Sequence, residues 1–350
     1  MPLDPLAVFE TLGRGAAAPA WLTAEVGRTW LPGALDLDVR LLAVSENATF
    51  AVRVAGEPRM VVRLQRPGYL GHLDEVRSEL WWAEAIARET TVATPAPVRG
   101  DDGGLAQVLV DDAGTRWTAV AFAFVPGSML EDVADPVPWF PAIGAVVAEL
   151  HAHARDWDRP ERFRRFSWDL PDLVGPDARW GSWRAATLDD GGRAVLEKAE
   201  AAALDVVGAL PRDARWWGLV HGDLRPSNLM VDTTAAPGAD ALVVIDLDDC
   251  GFGFWMHDFG AALSFYEHRP EAPAMAAGWL AGYRSVAPLT AADLDVAAAM
   301  SVLRRLTLLG WVVTHREDAL PPDLHAEMTP GTVDVCARYL ADPRWLVEGA

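Results

Sequence analysis

The side chains best suited to chemistry lie between residues 219 and 259. His221-Gly222-Asp223-Leu224-Arg225-Pro226-Ser227-Asn228 runs into the apolar stretch Leu229–Asp232, a Pro/Gly turn covers Thr233–Asp240, and Ala241–Ile245 leads to Asp246. Two short apolar runs around a turn predict an antiparallel hairpin. The residue before the first strand and the residue after the second then lie side by side, roughly 5 Å apart. Asn228 and Asp246 are the expected occupants. An amide oxygen and a carboxylate converging there form a hard-oxygen site of the kind Mg²⁺ accepts, with water and phosphate oxygens completing the octahedron. Asp223, on the loop before Asn228, is placed to accept a proton from a nucleophile near that metal. A metal on the phosphates and a carboxylate that orients a hydroxyl are the parts phosphoryl transfer needs.

The elements that must hold these residues divide the chain in two, 1–125 and 126–350. In the first part, Val39–Val44, Thr49–Val54 and Arg59–Gln65 are short β-rich runs, and Pro67-Gly68 breaks the third. His72–Glu89 carries apolar residues at Val76, Leu80, Ala83 and Ala87, the 3–4 spacing of an amphipathic helix. Leu105–Val110 and Thr118–Val125 flank the turn Asp111–Gly114 as two further strands. The second part reads as long Ala-rich helices: Pro138–Arg155, Gly192–Leu210, Glu271–Val286, Ala291–Glu317 and Thr332–Ala341. The expected fold class is α+β, a sheet lobe with one long helix followed by a mostly helical lobe.

The 350 residues are 51% hydrophobic and 23% charged, which excludes a disordered chain, a collagen and a disulfide-stapled mini-protein. Fifty acidic against thirty basic residues give a net charge of −20, which argues against nonspecific attraction to nucleic acid or to anionic membranes. The acidity is uneven: residues 1–125 hold 16 acidic and 11 basic side chains (−5), and residues 126–350 hold 34 and 19 (−15). Cys250 and Cys336 read as reduced thiols. The opening Met1-Pro2-Leu3-Asp4 has no signal-peptide pattern and no run approaches the ~18 apolar residues of a membrane span, so the expected location is the cytoplasm. Trp157, Trp168, Trp180 and Trp183 read as packing residues rather than a pocket lining. His151 and His153 point to different sides of their helix and make no metal site.

The string HGDLRPSN followed by IDLDD resembles the catalytic and metal loops of the aminoglycoside phosphotransferase family, which has a protein-kinase-like fold. The resemblance implies Asp223 as catalytic base, Asn228 and Asp246 as magnesium ligands, His221 as a structural histidine and ATP (or GTP) as co-substrate. Ser45–Phe50, with Asn47 at its centre, resembles the nucleotide-positioning turn of that family. Ala123-Phe124-Val125-Pro126-Gly127 resembles its hinge, with the Ala123 carbonyl and the Val125 amide meeting the adenine edge. Ala148–His153 resembles the helix supporting the catalytic loop, and Asp258 is expected to hydrogen-bond that loop. The usual phosphate-binding lysine falls at Arg63, with Glu79 as its partner; the sole lysine is Lys198, in the other half of the chain. Arginine can hold phosphate oxygens bidentately but is not interchangeable with lysine.

The expected activity is transfer of the γ-phosphoryl group to a hydroxyl of a small, amine-bearing, cationic acceptor. Residues 246–271 carry six acidic side chains and one arginine, which suits a cation. Two other readings are a protein Ser/Thr kinase and a nucleotide-binding regulatory module without turnover. Only eleven residues separate Asp246 from Asp258, short for a peptide-docking segment. The oligomeric state stays open.

Overall fold

The computed structural model describes residues 6–68, 71–314 and 320–347. Met1–Asp4, and residues 315–317 of the helix expected over Ala291–Glu317, lie outside the described residues. The chain divides into two compact units: Met1–Glu89 with Ala93–Pro126 and Arg159–Arg164, and Thr90–Val92 with Gly127–Asp158 and Arg165–Ala350.

The first unit holds α1 (Ala7–Glu10), α2 (Ala20–Trp30), β1 (Leu37–Val44), β2 (Asn47–Val54), β3 (Glu57–Gln65), α3 (Leu73–Glu89), β4 (Ala106–Val110) and β5 (Arg116–Ala123). The strands form one antiparallel sheet in the order β1-β2-β3-β5-β4. Side chains alternate faces along a strand. Met60, Val62 and Leu64 of β3 therefore join Phe50 and Val52 of β2 in a core with Phe9, Leu22 and Trp117, and Val61, Arg63 and Gln65 take the other face. Helix α3 buries Val76 and Leu80 against Leu105 and Val120. Segment 159–164 belongs to this unit through α3. Arg162 grips Asp74 (Nε 3.1 Å, NH2 2.8 Å), and the Arg164 amide donates to Ser78 Oγ (2.8 Å).

The second unit contains β6 (Ser128–Met129), α4 (Phe140–Asp156), α5 (Leu170–Val174), α6 (Asp190–Gly208), β7 (Trp217–Val220), β8 (Leu229–Val231), β9 (Leu242–Val244), β10 (Gly251–Phe254), α7 (His257–Ala262), α8 (Ala272–Val286), α9 (Ala291–Thr314) and α10 (Pro322–Ala341). Two small sheets, β10-β7 and β6-β8-β9, carry the loops around Asp223 and Asp246. Helix α9 packs against α6, α7 and α10. By length and composition it could cross a membrane, but Arg304 and Arg305 interrupt its apolar run and 89% of its apolar window is buried inside the fold. It is the core helix of this unit.

Helix α10 begins ten residues before the expected Thr332, because Pro330-Gly331 reads as a break yet lies inside the helix. Proline removes an amide donor and crowds the preceding turn. Here the Met328 carbonyl takes both the Thr332 hydroxyl (2.6 Å) and Arg305 NH2 (3.1 Å), bracing that turn.

Helices α4 and α8 approach so closely that a Cβ on Gly282 would sit 1.8 Å from the Pro141 carbonyl oxygen. Backbone cannot yield there as a flexible side chain could. Gly282→Ala is expected to destabilise the protein by about 1–3 kcal/mol, the usual cost of overpacking, measured as a lower denaturation midpoint with an unchanged m-value.

Candidate active site

In the first unit, the strand register explains why Arg63 meets Glu79. Thr49 faces Arg63 and Asn47 faces Gln65 across β2–β3, so Arg63 and Gln65 share the face opposite the Phe50 core. Glu79 on α3 has no exposed surface and Arg63 is 4% exposed; the two form a buried ion pair. Phe122 lies under the Arg63 guanidinium at 5.7 Å. With its amide turned to satisfy both ends, Gln65 accepts from Arg63 Nε and NH2 (3.0 Å each) and donates to Asn47 Oδ1 (2.9 Å). Asn47 is the first residue of β2 rather than part of the turn, is 4% exposed, and also accepts the Arg66 amide at 3.2 Å. Ala123 ends β5 with its amide on the Ala96 carbonyl (2.8 Å), and Val125 follows, half-buried.

In the second unit, one carboxylate shapes the loop after β7. Asp258, fully buried at the start of α7, accepts the amides of His221 (3.0 Å) and Gly222 (2.8 Å) and the ring Nε2–H of His151 from α4 (3.0 Å). Burial alone would raise the Asp258 pKa, but the donors, His151 first, bring it down to about 2. Burial pushes the His151 pKa down as well, so the pair is a carboxylate and a neutral imidazole. His221 is buried, with Nδ1 accepting the Asp223 amide (3.3 Å) and Nε2 on the Ile245 carbonyl (3.1 Å). It is structural, as expected. Gly222 has φ +82°, and a Cβ there would fall 2.5 Å from both the Asp249 carbonyl oxygen and Trp168 Nε1. Only glycine fits.

The Asp223 carboxylate is held from three sides. Oδ1 accepts from Arg304 NH2, and Oδ2 accepts from Asn228 Nδ2 (2.9 Å) and Arg225 Nε (3.2 Å). Asn228 Nδ2 also donates to the Asp223 carbonyl (2.7 Å). Burial pushes the Asp223 carboxyl up, but the charges of Arg225 and Arg304 outweigh it and leave the pKa below the usual range. A carboxylate offers about four lone-pair positions. Three are used among the described residues, leaving one on Oδ1.

The hairpin register differs from expectation by one residue. Leu229 pairs with Val244, and the Ile245 amide donates to the Asn228 carbonyl (3.0 Å), so Asn228 faces Ile245 rather than Asp246. The expected strands, Leu229–Asp232 and Ala241–Ile245, differ in length by one, and pairing counted from the turn therefore ends one residue early. Asp246 follows with φ +62° and an exposed side chain. A short polar side chain is the non-glycine type that tolerates this left-handed conformation.

The donor chemistry suits a hard divalent cation. Asn228 uses its NH₂ on Asp223 and keeps its amide oxygen as an acceptor. Asp249 is pushed well above the carboxylate range by burial and then by the negative charges of Asp248, Asp223 and Asp246. Negative charge is crowded at this point, and a divalent cation would relieve it. Among the described residues no three His, Cys, Asp or Glu side chains converge as a metal site.

A sequence profile described as the phosphotransferase enzyme family matches residues 38–292. The chain belongs to that family. The solved structure of a microcompartment-associated aminopropanol kinase is 34% identical, with 88% of this chain and 94% of that chain covered and a TM-score of 0.78. An amicoumacin kinase solved in complex with AMP-PNP, Ca²⁺ and Ami is 17% identical, with 91% and 92% covered and a TM-score of 0.68, a likeness of fold. An uncharacterised protein of Synechocystis is 26% identical over 62% of this chain, which spans 57% of that relative's length. Hydroxylysine kinase of Xenopus laevis is 31% identical over 81 residues, 21% of this chain and 22% of its own.

Within this phosphotransferase fold, the motif reading overlooked three side chains. Arg304 reaches Asp223 from α9, while Arg165 and Trp168 come from the Trp-rich segment. Arg165 donates to the carbonyls of Asp248 and Cys250, and Trp168 Nε1 to that of Asp249 (2.8 Å). The backbone of Phe166–Trp168 pairs with Phe252. Trp168, Trp180 and Trp183 are buried, as expected of packing residues, whereas Trp157 is half-buried and stacks on His153; Trp168 also braces the loop after Asp246. Arg304 had one signal, a pair of adjacent charges in the middle of a largely apolar helix.

His257, adjacent to Asp258, puts Nε2 on the Gly222 carbonyl (3.0 Å) and is fully buried. Burial first, and the Arg304 charge second, depress its pKa from 6.5 to about 4. The unfolded chain therefore binds a proton that the folded one excludes. This contribution to stability is complete above pH 6.5 and is lost as pH falls towards 4, by about 3 kcal/mol. Denaturation midpoints across that window should fall for the parent and fall less for His257→Gln, which keeps a donor for Gly222.

Proposed function

We propose that the protein transfers the γ-phosphoryl group of ATP, or of GTP, to a hydroxyl of a small amine-bearing acceptor. The observation that carries this reading is the immobilised Asp223, tied to Asn228 at the mouth of the hairpin that ends in Asp246. Arg63, locked to Glu79 and Gln65, would grip the α- and β-phosphates, its fork matching phosphate oxygens. Asn47 would steady the end of that strand pair, and Ala123 and Val125 would present backbone groups to the base. Asn228 Oδ1 and Asp246 would hold Mg²⁺, which when bound neutralises phosphate charge.

The acceptor hydroxyl would donate its hydrogen bond to the remaining lone pair of Asp223 Oδ1. A carboxylate whose pKa is depressed is a weak base, so Asp223 orients the hydroxyl and takes its proton late. The oxygen–phosphorus bond forms as the β-γ bridge breaks, and the proton leaves through Asp223 to solvent. A loose transition state requires no more of the base than this. An amine-bearing acceptor is favoured by the excess of acidic side chains over residues 246–271. The aminopropanol, hydroxylysine and amicoumacin named for the relatives support it.

A protein-kinase reading is disfavoured, because the residues between Asp246 and Asp258 are taken up by a helical turn (Leu247–Asp249) and β10. Arginine at position 63 favours the alternative of nucleotide binding without turnover. One assay separates them: nucleotide consumption by the purified protein with Mg²⁺ against 1-amino-2-propanol, ethanolamine, choline, hydroxylysine, homoserine, aminoglycosides and peptides. Turnover is expected with an amino alcohol and abolished in Asp223→Ala, while nucleotide binding by calorimetry stays within a few fold. Absence of turnover with every acceptor would leave only the binding reading.

Asp246→Asn keeps the backbone preference and removes the charge. It should shift the Mg²⁺ dependence of nucleotide binding to roughly tenfold or more higher concentration, as loss of an outright ligand does. An unchanged magnesium titration would remove Asp246 from the metal site.

A further inference from the structure

Helix α9 takes two full charges into the core: Arg304 and Arg305 have no exposed surface. Arg305 is answered by Glu267 (2.8 Å), Thr332 Oγ1 (2.9 Å) and the Met328 carbonyl (3.1 Å), all remote in sequence from the Asp223 loop. Arg304 is oriented differently. Its NH2 donates to Asp223 Oδ1, its NH1 to the Gly222 carbonyl (3.2 Å) and its Nε to Ser264 Oγ (3.1 Å), with the guanidinium face over Trp180 at 4.7 Å. Burying a cation costs free energy even when it is paired, and an apolar residue in place of a buried ion pair is often neutral or stabilising. Stability alone therefore does not account for a charge aimed at this carboxylate.

We propose that Arg304 is a positioning residue for phosphoryl transfer, which rests on the reading of Asp223 as the base. One planar guanidinium holds a backbone carbonyl and the next residue's carboxylate, so it fixes the Asp223 side chain relative to its own loop. Asn228 and Arg225 hold Oδ2. Arg304 sets the rotation of the carboxylate about that point and so aims the remaining Oδ1 lone pair at the incoming hydroxyl. Ser264, two residues after the end of α7, orients Arg304 in turn. A lysine could reach one of the two oxygens but lacks the planar fork needed for both.

The test is steady-state kinetics on the full chain with ATP, Mg²⁺ and the acceptor from the panel above that the parent phosphorylates fastest. Arg304→Met should lower kcat on the order of 10²-fold, the cost of a small misplacement of a reacting group. KM for ATP and acceptor should stay within about threefold, and Arg304→Lys should recover about tenfold of kcat. An unchanged kcat, a loss confined to KM, or equal activity of the Met and Lys variants would overturn the proposal. Should Arg304→Met fail to fold, Ser264→Ala removes one orienting bond and keeps the charge. It should lower kcat about fivefold, as loss of one hydrogen bond does, and an unchanged kcat would count against Arg304. Asp223→Asn separates the two levels. If it stays active, the base assignment fails; if it is inactive while Arg304→Met retains the parent kcat, only the role of Arg304 fails.

Discussion

The loop after β7 depends on a single buried carboxylate. Asp258 accepts two consecutive backbone amides and an imidazole N–H, and each of those donors would otherwise be an unsatisfied polar group in a dry interior. Consecutive amides can converge on one acceptor only if the chain turns sharply, and Gly222 supplies that turn with its positive φ. The turn then aims the Asp223 side chain. Fold and site are thus coupled through one group: α4 contributes His151, α7 contributes Asp258, and the loop is fitted to both.

Charge inside the second unit follows the same logic of mutual satisfaction. Arg304 and Arg305 are neighbours on one helix, yet they face different clusters, one made of Asp223, Gly222 and Ser264, the other of Glu267, Thr332 and Met328. A helix carrying both must be held at a fixed rotation about its axis, since turning it would take each guanidinium from its partners. Asp293 and Asp295 in its first turns, paired with Arg215 and Arg344, anchor the same rotation. In the first unit the Arg63–Glu79 pair has a comparable effect on α3, whose Val76 and Leu80 pack with Leu105 and Val120.

What was legible in the sequence was what is local. His221, Asp223 and Asn228 lie within eight residues, and the resemblance to the phosphotransferase family matched Arg63 with Glu79. The sheet lobe and the helical lobe followed from strand alternation and helical spacing. The hairpin register was not legible, because the pairing is counted from the turn and two runs of unequal length leave the far end ambiguous by one residue. Pro330 hid half of α10, since a proline lacks the amide donor of a helix interior and reads as a break. Arg304 was hidden by distance: it lies 81 positions from Asp223 in the chain, and no spacing rule links a core helix to a loop that far away. Its trace was a charge where hydropathy called for none.

The backbone at Asp246 imposes a filter of its own. A left-handed conformation favours glycine, asparagine and aspartate, and among these three only aspartate carries a charge and two carboxylate oxygens. Drift at this position is therefore channelled: residues that the fold accepts readily but that lack the carboxylate yield well-formed proteins deprived of the charge, whereas glutamate, chemically similar, meets resistance from the backbone. Conformation narrows the alphabet before chemistry chooses from it.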